Sequence, residues 1–189
     1  MKSALLISHS DDSIASVKEL LDAEMLSQIV IMHSCGEARR ALVERDFDLI
    51  LINAPLRDET GESLSIDIAS KGMSQVMLIV KNEYYDEISA RTENYGVLTL
   101  TKPINKSIFW ATLKLARAAY NRLLRVNSEN IKLKQRIEDI KIVDRAKYIL
   151  FSHYKMSEAE AHRYIEKQAM DMRVSRREIA ENILKTYEN

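Results

Sequence analysis

The sequence predicts an α/β fold, a doubly wound five-stranded parallel sheet, followed by a long coiled-coil helix and a small three-helix all-α domain. Three observations carry this prediction. In the first half, short apolar runs alternate with segments of helical period. From Ile108 to Tyr154 no Pro or Gly interrupts a run of helix-favouring residues. Beyond Tyr154, two Ser-x-x-Glu patterns each precede a further amphipathic stretch.

The five runs are ALLI (4–7), IVIM (29–32), LILI (49–52), VMLIV (76–80) and VLTL (97–100). Each is short and apolar throughout, as strands covered on both faces are, and the helical segments between them imply parallel crossovers. SIASVKELLDAEM spaces its apolar residues by three and four. Ser34-Cys35-Gly36-Glu37 has the capping-box pattern and opens a helix toward Leu42 and Val43. The strand ends then fall at Ser8-His9, Asn53, Val80-Lys81 and Lys102-Pro103, the edge where α/β sheets usually keep their ligands.

In the long helix, Ala116, Leu123, Asn130 and Ile137 occupy a positions of a heptad, and Ala119, Val126, Leu133 and Ile140 occupy d. Sustained a/d apolarity predicts a coiled coil over residues 112–144, with Asn130 pairing across the seam of a parallel homodimer and fixing its register. Leu123, Val126, Asn130, Leu133, Ile137 and Ile140 are the predicted dimerisation residues. Glu129 and Lys134 suit an interchain pair, whereas Arg136 and Lys141 repel; a helix packed on its own domain is the alternative. Ser157-Glu158-Ala159-Glu160 and Ser175-Arg176-Arg177-Glu178 then open two more helices, whose stripes run through Ala161, Ile165 and Met172, and through Ile179, Ala180, Ile183 and Leu184.

Composition narrows the function. With 46% hydrophobic and 30% charged residues among 189, the chain can bury a core in one or two domains. One cysteine, Cys35, allows no disulfide and fits a reducing compartment, and MKSALLISHSDD is too short in apolar residues for a signal peptide. No run approaches the ~20 residues of a membrane span, so a cytoplasmic, soluble protein is expected. His9, His33, His153 and His162 are scattered, no Gly-rich phosphate loop is present, and no nucleophile–base pair is legible, so neither metal, cofactor nor enzymatic activity is predicted. The zero net charge conceals an asymmetry. Residues 1–113 carry 11 Lys and Arg against 17 Asp and Glu, and residues 114–189 carry 17 against 11. The basic half suits a polyanion, or is simply a solvated surface.

The five βα units, the FDLILINAPLRDETG turn after the third strand and the Lys-Pro after the fifth resemble a response-regulator receiver domain, over roughly residues 1–120. In that family an acidic pair binds Mg²⁺, an Asp ending the third strand accepts a phosphoryl group, a hydroxyl residue ends the fourth, and a Lys neutralises the developing charge. Here Ser8 and His9 stand at the acidic positions, Asn53 at the phosphoacceptor, Val80 at the hydroxyl and Thr99 at an aromatic switch position; only Lys102, with Pro103, is kept. An amide forms no acyl phosphate. The resemblance therefore implies a pseudo-receiver serving dimerisation or signal sensing, with an unknown ligand or protein as its partner. Asp11 and Asp12 read as helix caps rather than a displaced metal pair.

The tail resembles the ANTAR domain, a three-helix RNA-binding module of transcription antiterminators, over about residues 130–187. The carriers are Ala146-Lys147, Ser157-Glu158 with Ala161, Ala169-Met170, Arg173 and Glu178-Ile179-Ala180 through Ile183-Leu184. Tyr148 and Lys155 stand where that family usually has a small residue and a Gly. Independently of the resemblance, Arg163 and Lys167 form a basic ridge one helical turn apart, away from the apolar stripe. Arg176 and Arg177 sit in a first helical turn, where the dipole favours acids, so either an external phosphate shares that end or the two are simply exposed. The candidate RNA-binding residues are Lys147, Tyr148, Tyr154, His162, Arg163, Lys167, Arg173, Arg176 and Arg177, with Tyr164 a further stacking candidate.

Together these readings predict a pseudo-receiver over residues 1–120, a coiled-coil linker over 112–144 and an ANTAR-like domain over 145–189, its family match starting near 130. The implied function is antitermination: capture of hairpin loops in leader transcripts by a homodimer. A DNA-binding response-regulator-like transcription factor and a coiled-coil protein-interaction adaptor are the rival readings.

Overall fold

The structure, a computed structural model, describes residues 1–22 and 26–187. The end of the SIASVKELLDAEM segment, residues 23–25, and the last two residues of the predicted C-terminal domain lie outside the described residues. The chain forms two compact units, Met1–Arg125 and Val126–Asn189.

In the first unit, β1 (Ser3–Ile7), β2 (Gln28–Met32), β3 (Leu49–Asn53), β4 (Gln75–Lys81) and β5 (Leu98–Lys102) form one parallel sheet in the order β2-β1-β3-β4-β5. The helices between them are α1 (Asp11–Asp22), α2 (Cys35–Glu44), α3 (Glu62–Lys71) and α4 (Tyr85–Thr92). All five predicted strands form. The fifth runs on to Lys102 because Thr101 and Lys102 continue the ladder opposite Val80 and Lys81.

Successive strand residues point to opposite faces, and this splits the core in two. Leu5, Ile7, Ile50, Ile52 and Leu78 pack with Ala38 of α2 and Leu64 and Ile68 of α3. Leu6, Leu49, Leu51, Met77 and Ile79 pack with Val17 and Leu21 of α1 and with Phe109, Leu113 and Ala116 of the long helix α5 (Lys106–Tyr154). Both faces are covered, which explains why β1, β3 and β4 are apolar without alternation. At the amino end of the sheet, the Asp48 carboxylate accepts from the Lys2 and Ser3 backbone N–H groups and from the Tyr120 hydroxyl. Burial alone raises the Asp48 carboxyl; the bonds from Tyr120, Lys2 and Ser3 outweigh it and hold the group below the ordinary range. Burial, with the Asp48 charge beside it, pushes the Tyr120 hydroxyl up to about 12.

In the second unit the end of α5 joins α6 (Glu158–Met172) and α7 (Arg176–Tyr187) around Ala146, Leu150, Ala161, Ile165, Ile179 and Leu184; Ala169, one turn after Ile165, completes the α6 stripe, and Met172 in the last turn is exposed instead of packed. Both predicted caps are made. Ser157 and Glu160 form a full capping box, and Ser175 Oγ accepts from the Glu178 N–H at 3.2 Å. At α2, Ser34 accepts from Glu37 N as expected, but Glu37 reaches back to the His33 N–H, one residue before the cap. The turns ending α5 and α6 place Lys155 at φ 57° and Arg173 at φ 55°, the left-handed region that favours Gly.

Ala116 corrects the heptad reading. It is fully buried with Phe109 and Leu113 in the core of the first unit, so the first turns of α5 pack on their own domain and any seam begins beyond it. From residue 121 to residue 138 every α5 side chain is exposed, and Leu123, Val126, Leu133, Ile137 and Ile140 show 40 to 59% of their surface to solvent.

Gly61, before α3, has φ 84°, and a Cβ there would lie 2.8 Å from Ile52 Cγ2. Gly61→Ala therefore combines left-handed strain with overpacking and should lower stability by about 2–4 kcal/mol, measured as a fall in the urea midpoint at unchanged slope.

Candidate functional site

The strand order reverses between β1 and β3, which opens a crevice at their carboxyl ends. There Ser8 is wholly buried, Asn53 is 2% exposed, and Asn53 Nδ2 donates to Ser8 Oγ at 2.9 Å. The amide oxygen, Oδ1, is buried without a partner, as is Nδ1 of His9. Lys102 Nζ donates to the Ala54 carbonyl at 2.5 Å. Burial, and then the charge of Lys81 beside it across the β4–β5 ladder, push its ammonium below the usual range. Val80 is buried and offers no hydroxyl, while Thr99 meets Thr92 through their hydroxyls at 3.3 Å. Of the predicted degenerate site, Ser8 and Asn53 touch, and Lys102 is tied to the residue that follows Asn53. The arrangement presents a neutral amide, a hydroxyl and one cation, and Ser8, His9 and Asn53 supply neither a carboxylate pair for Mg²⁺ nor a carboxylate nucleophile.

Cys35, Asp58 and Glu59 also lie together, yet their groups are already used. Asp58 accepts from the Cys35 and Gly36 N–H groups at 3.0 and 2.9 Å, capping α2, and Glu59 is gripped by both terminal nitrogens of Arg39. Burial, with Asp58 and Glu59 nearby, pushes the Cys35 thiol up to about 11, so it stays protonated and inert.

In the second unit the predicted RNA-binding residues divide. Lys147, His162, Arg176 and Arg177 line one cleft of about 430 Å³. Each meets acids of the same unit: Lys147 meets Asp144 at 3.1 Å and Glu158 at 3.8 Å, and His162 and Arg176 share Glu166 at 3.2 Å. Arg177 bonds Asp139 at 2.8 Å and Glu181 at 2.7 Å. Arg176 and Arg177, for which the sequence leaves an external phosphate or simple exposure, thus meet carboxylates of their own unit; the side-chain bond from Arg177 also holds the Asp139 carboxyl below its usual range.

Arg163, Lys167 and Arg173 are different. They are exposed, as is Lys155, and among the described residues none of the four has a carboxylate within ion-pair distance. Arg163 and Lys167 lie on the solvent face of α6, opposite buried Ala161 and Ile165; Lys155 and Arg173 stop the helices on either side. Tyr148 is 71% exposed, whereas Tyr154 packs edge-on to Tyr187 and bonds its hydroxyl. Two residues escaped the sequence reading. Lys155 sits where the tail's resemblance expects Gly, and its left-handed backbone is the structural counterpart of that signal. Phe151, exposed three residues after Tyr148, shares a hollow with it. Its helical spacing was legible, but an aromatic at that spacing is more often core.

Residues 132–184 match the ANTAR domain family. Over 169 residues the chain is 25% identical to the transcriptional regulatory protein PdtaR of Mycobacterium tuberculosis, in strains CDC 1551 and H37Rv alike, spanning 87% of this chain and 82% of the relative. Among solved structures it is similar to the CheY-like receiver domain protein of Methanospirillum hungatei JF-1, at 19% identity and a TM-score of 0.57 over 65% of this chain and 98% of that one. It is also similar to a two-component response regulator of Clostridium difficile, at 21% identity and a TM-score of 0.53 over 62% and 97%. Those likenesses establish the fold of the first unit. They do not extend to phosphoryl chemistry: incubation with a small phosphodonor and Mg²⁺ should leave the intact mass unchanged, in the wild type and in Asn53→Asp alike, and a stable adduct of one phosphoryl group would overturn this. The chain thus joins a first unit of receiver-like fold, with Asn53 and no carboxylate at the end of β3, to an ANTAR-domain match over residues 132–184, and over most of its length it is similar to a transcriptional regulatory protein.

Proposed function

We propose that the protein is an RNA-binding antitermination regulator, whose helical unit captures hairpin loops in leader transcripts and so keeps a terminator from forming. The observation that carries this is the set of four exposed cations on α6 and its two flanking stops, none of which has a carboxylate within ion-pair distance among the described residues. Left-handed backbone at a non-Gly residue is strained, and such strain collects where function needs the side chain. Lys155 and Arg173 keep long cations at two such positions. With Arg163 and Lys167 they provide a phosphate-contacting surface, while Tyr148 and Phe151 offer exposed rings for unpaired loop bases. Lys147, His162, Arg176 and Arg177 form a cleft tempered by acids, which phosphate enters only by competing with them.

The exposed stripe from Leu123 to Ile140, with Asn130 among its a positions, is assigned to a parallel homodimer. Two linked tails then favour paired hairpins, because the second binding event is intramolecular. The first unit serves dimerisation or signal sensing.

Gel shifts should show the chain retarding a hairpin RNA and leaving a DNA duplex of the same sequence free. Retardation of the duplex alone would favour a DNA-binding factor, and retardation of neither a protein adaptor. Lys155→Gly and Arg173→Gly should each raise stability, by about 0.5–1 kcal/mol through relief of backbone strain. Each should also weaken hairpin binding about tenfold or more and lower the salt slope by about 0.7 to 1. Opposite signs for stability and affinity separate a contact from a merely structural effect; unchanged affinity in both variants would remove α6 and its stops from the interface. Asn130→Leu should stabilise the assembly while loosening its choice of oligomer, read by sedimentation equilibrium. A strict monomer at high concentration in both proteins would exclude the seam.

A further inference from the structure

We propose that the crevice beside Asn53 in the first unit is a binding site for a short organic acid, a 2-hydroxy or 2-amino carboxylate with a small aliphatic side chain. The proposal deepens the sensing role suggested above and does not depend on RNA binding.

The cleft holds about 430 Å³ and is lined by groups from β3, α1 and the loop after β5. That volume is in the range of small-ligand sites, which combine apolar walls with a few polar groups that fix orientation. Val17, Leu20 and Ile104 provide the walls. Asn53 and Lys102 provide the polar groups, and each has unspent capacity. Asn53 Nδ2 is used by Ser8, while Oδ1 is buried with no donor. Turning the amide makes Ser8 the donor and frees Nδ2 instead, so in either setting one end of Asn53 is left for a ligand. Lys102 spends one of three N–H donors, on the Ala54 carbonyl, and among the described residues no carboxylate lies within ion-pair distance of it. Burial and Lys81 weigh against its charge, and a bound anion would relieve both.

These features select the ligand. One half-buried cation suits a single negative charge, and Asp12 and Glu19 on the lining disfavour a dianion. The free end of Asn53 suits a hydroxyl or amino group close to the acid, since a hydroxyl meets either setting of the amide and an ammonium meets Oδ1. The Val17, Leu20 and Ile104 walls require a short hydrocarbon body. Lys106 is already engaged by Glu19 at 3.6 Å, which leaves Lys102 to hold the acid.

The test uses the full chain, without RNA, and four probes: L-lactate, 2-hydroxyisovalerate, L-alanine and L-leucine. Thermal midpoint and titration calorimetry should show saturable binding of at least one, with the methyl ester of lactate inactive and orthophosphate much weaker. Lys102→Met should weaken the active probe at least tenfold. Asn53→Asp should do the same while remaining folded, because the new carboxylate takes Lys102 and repels the acid. The proposal is overturned if no probe binds, if the ester or orthophosphate binds as tightly, or if both variants bind within twofold of wild type. Any of these results would leave the hairpin-binding reading where it stands, since no RNA enters the measurement.

Discussion

A parallel sheet has no face to give to water, and the first unit follows from that constraint. Strands β1, β3 and β4 are buried on both sides, so helices must cross above and below them, and the strand order must reverse somewhere. It reverses between β1 and β3. The connections that leave the carboxyl ends of these two strands therefore run to opposite faces of the sheet, α1 to one and α3 to the other, and the residues that end the strands stand in the crevice between them. Ser8 and Asn53 stand there in this chain, joined to each other by one hydrogen bond. The opposite end of the sheet is closed by Asp48, which ties β1 and the Tyr120 turn of α5 to the start of β3.

Because the fold is held by hydrocarbon, the crevice can change chemistry without unfolding the sheet. Asn53 brings an amide and no carboxylate to the crevice, and it belongs to neither core cluster. What it leaves is a buried amide oxygen without a donor, a defect worth about 1–3 kcal/mol, in a place where α/β folds admit ligands.

The helical unit solves a different problem. Its core is small, and the turns that close it carry cations at left-handed positions where Gly would be less strained. Three of its other basic residues, Lys147, Arg176 and Arg177, are held by carboxylates of the same unit, which fixes their geometry and spends part of their charge. Lys147, Arg176 and Arg177 thus meet carboxylates in the cleft, whereas among the described residues Arg163 and Lys167 on α6 have none within ion-pair distance.

Much of this was legible in the sequence because it depends on period and local hydrogen bonding. Apolar runs located all five strands, the caps at Ser34, Ser157 and Ser175 located helix starts, and the absence of Pro and Gly from 108 to 154 located the long helix. Asn53 could be placed at a strand end, and the loss of carboxylate chemistry there followed from its identity alone. Pairing in three dimensions could not be read the same way. That Arg177 meets Asp139, thirty-eight residues away, depends on how α7 lies against α5; that Ala116 belongs to the first core and not to the seam depends on where α5 leaves the sheet. Period places a residue on a face of its own helix, but only packing decides what that face meets, and so which charges are spent and which remain for a partner.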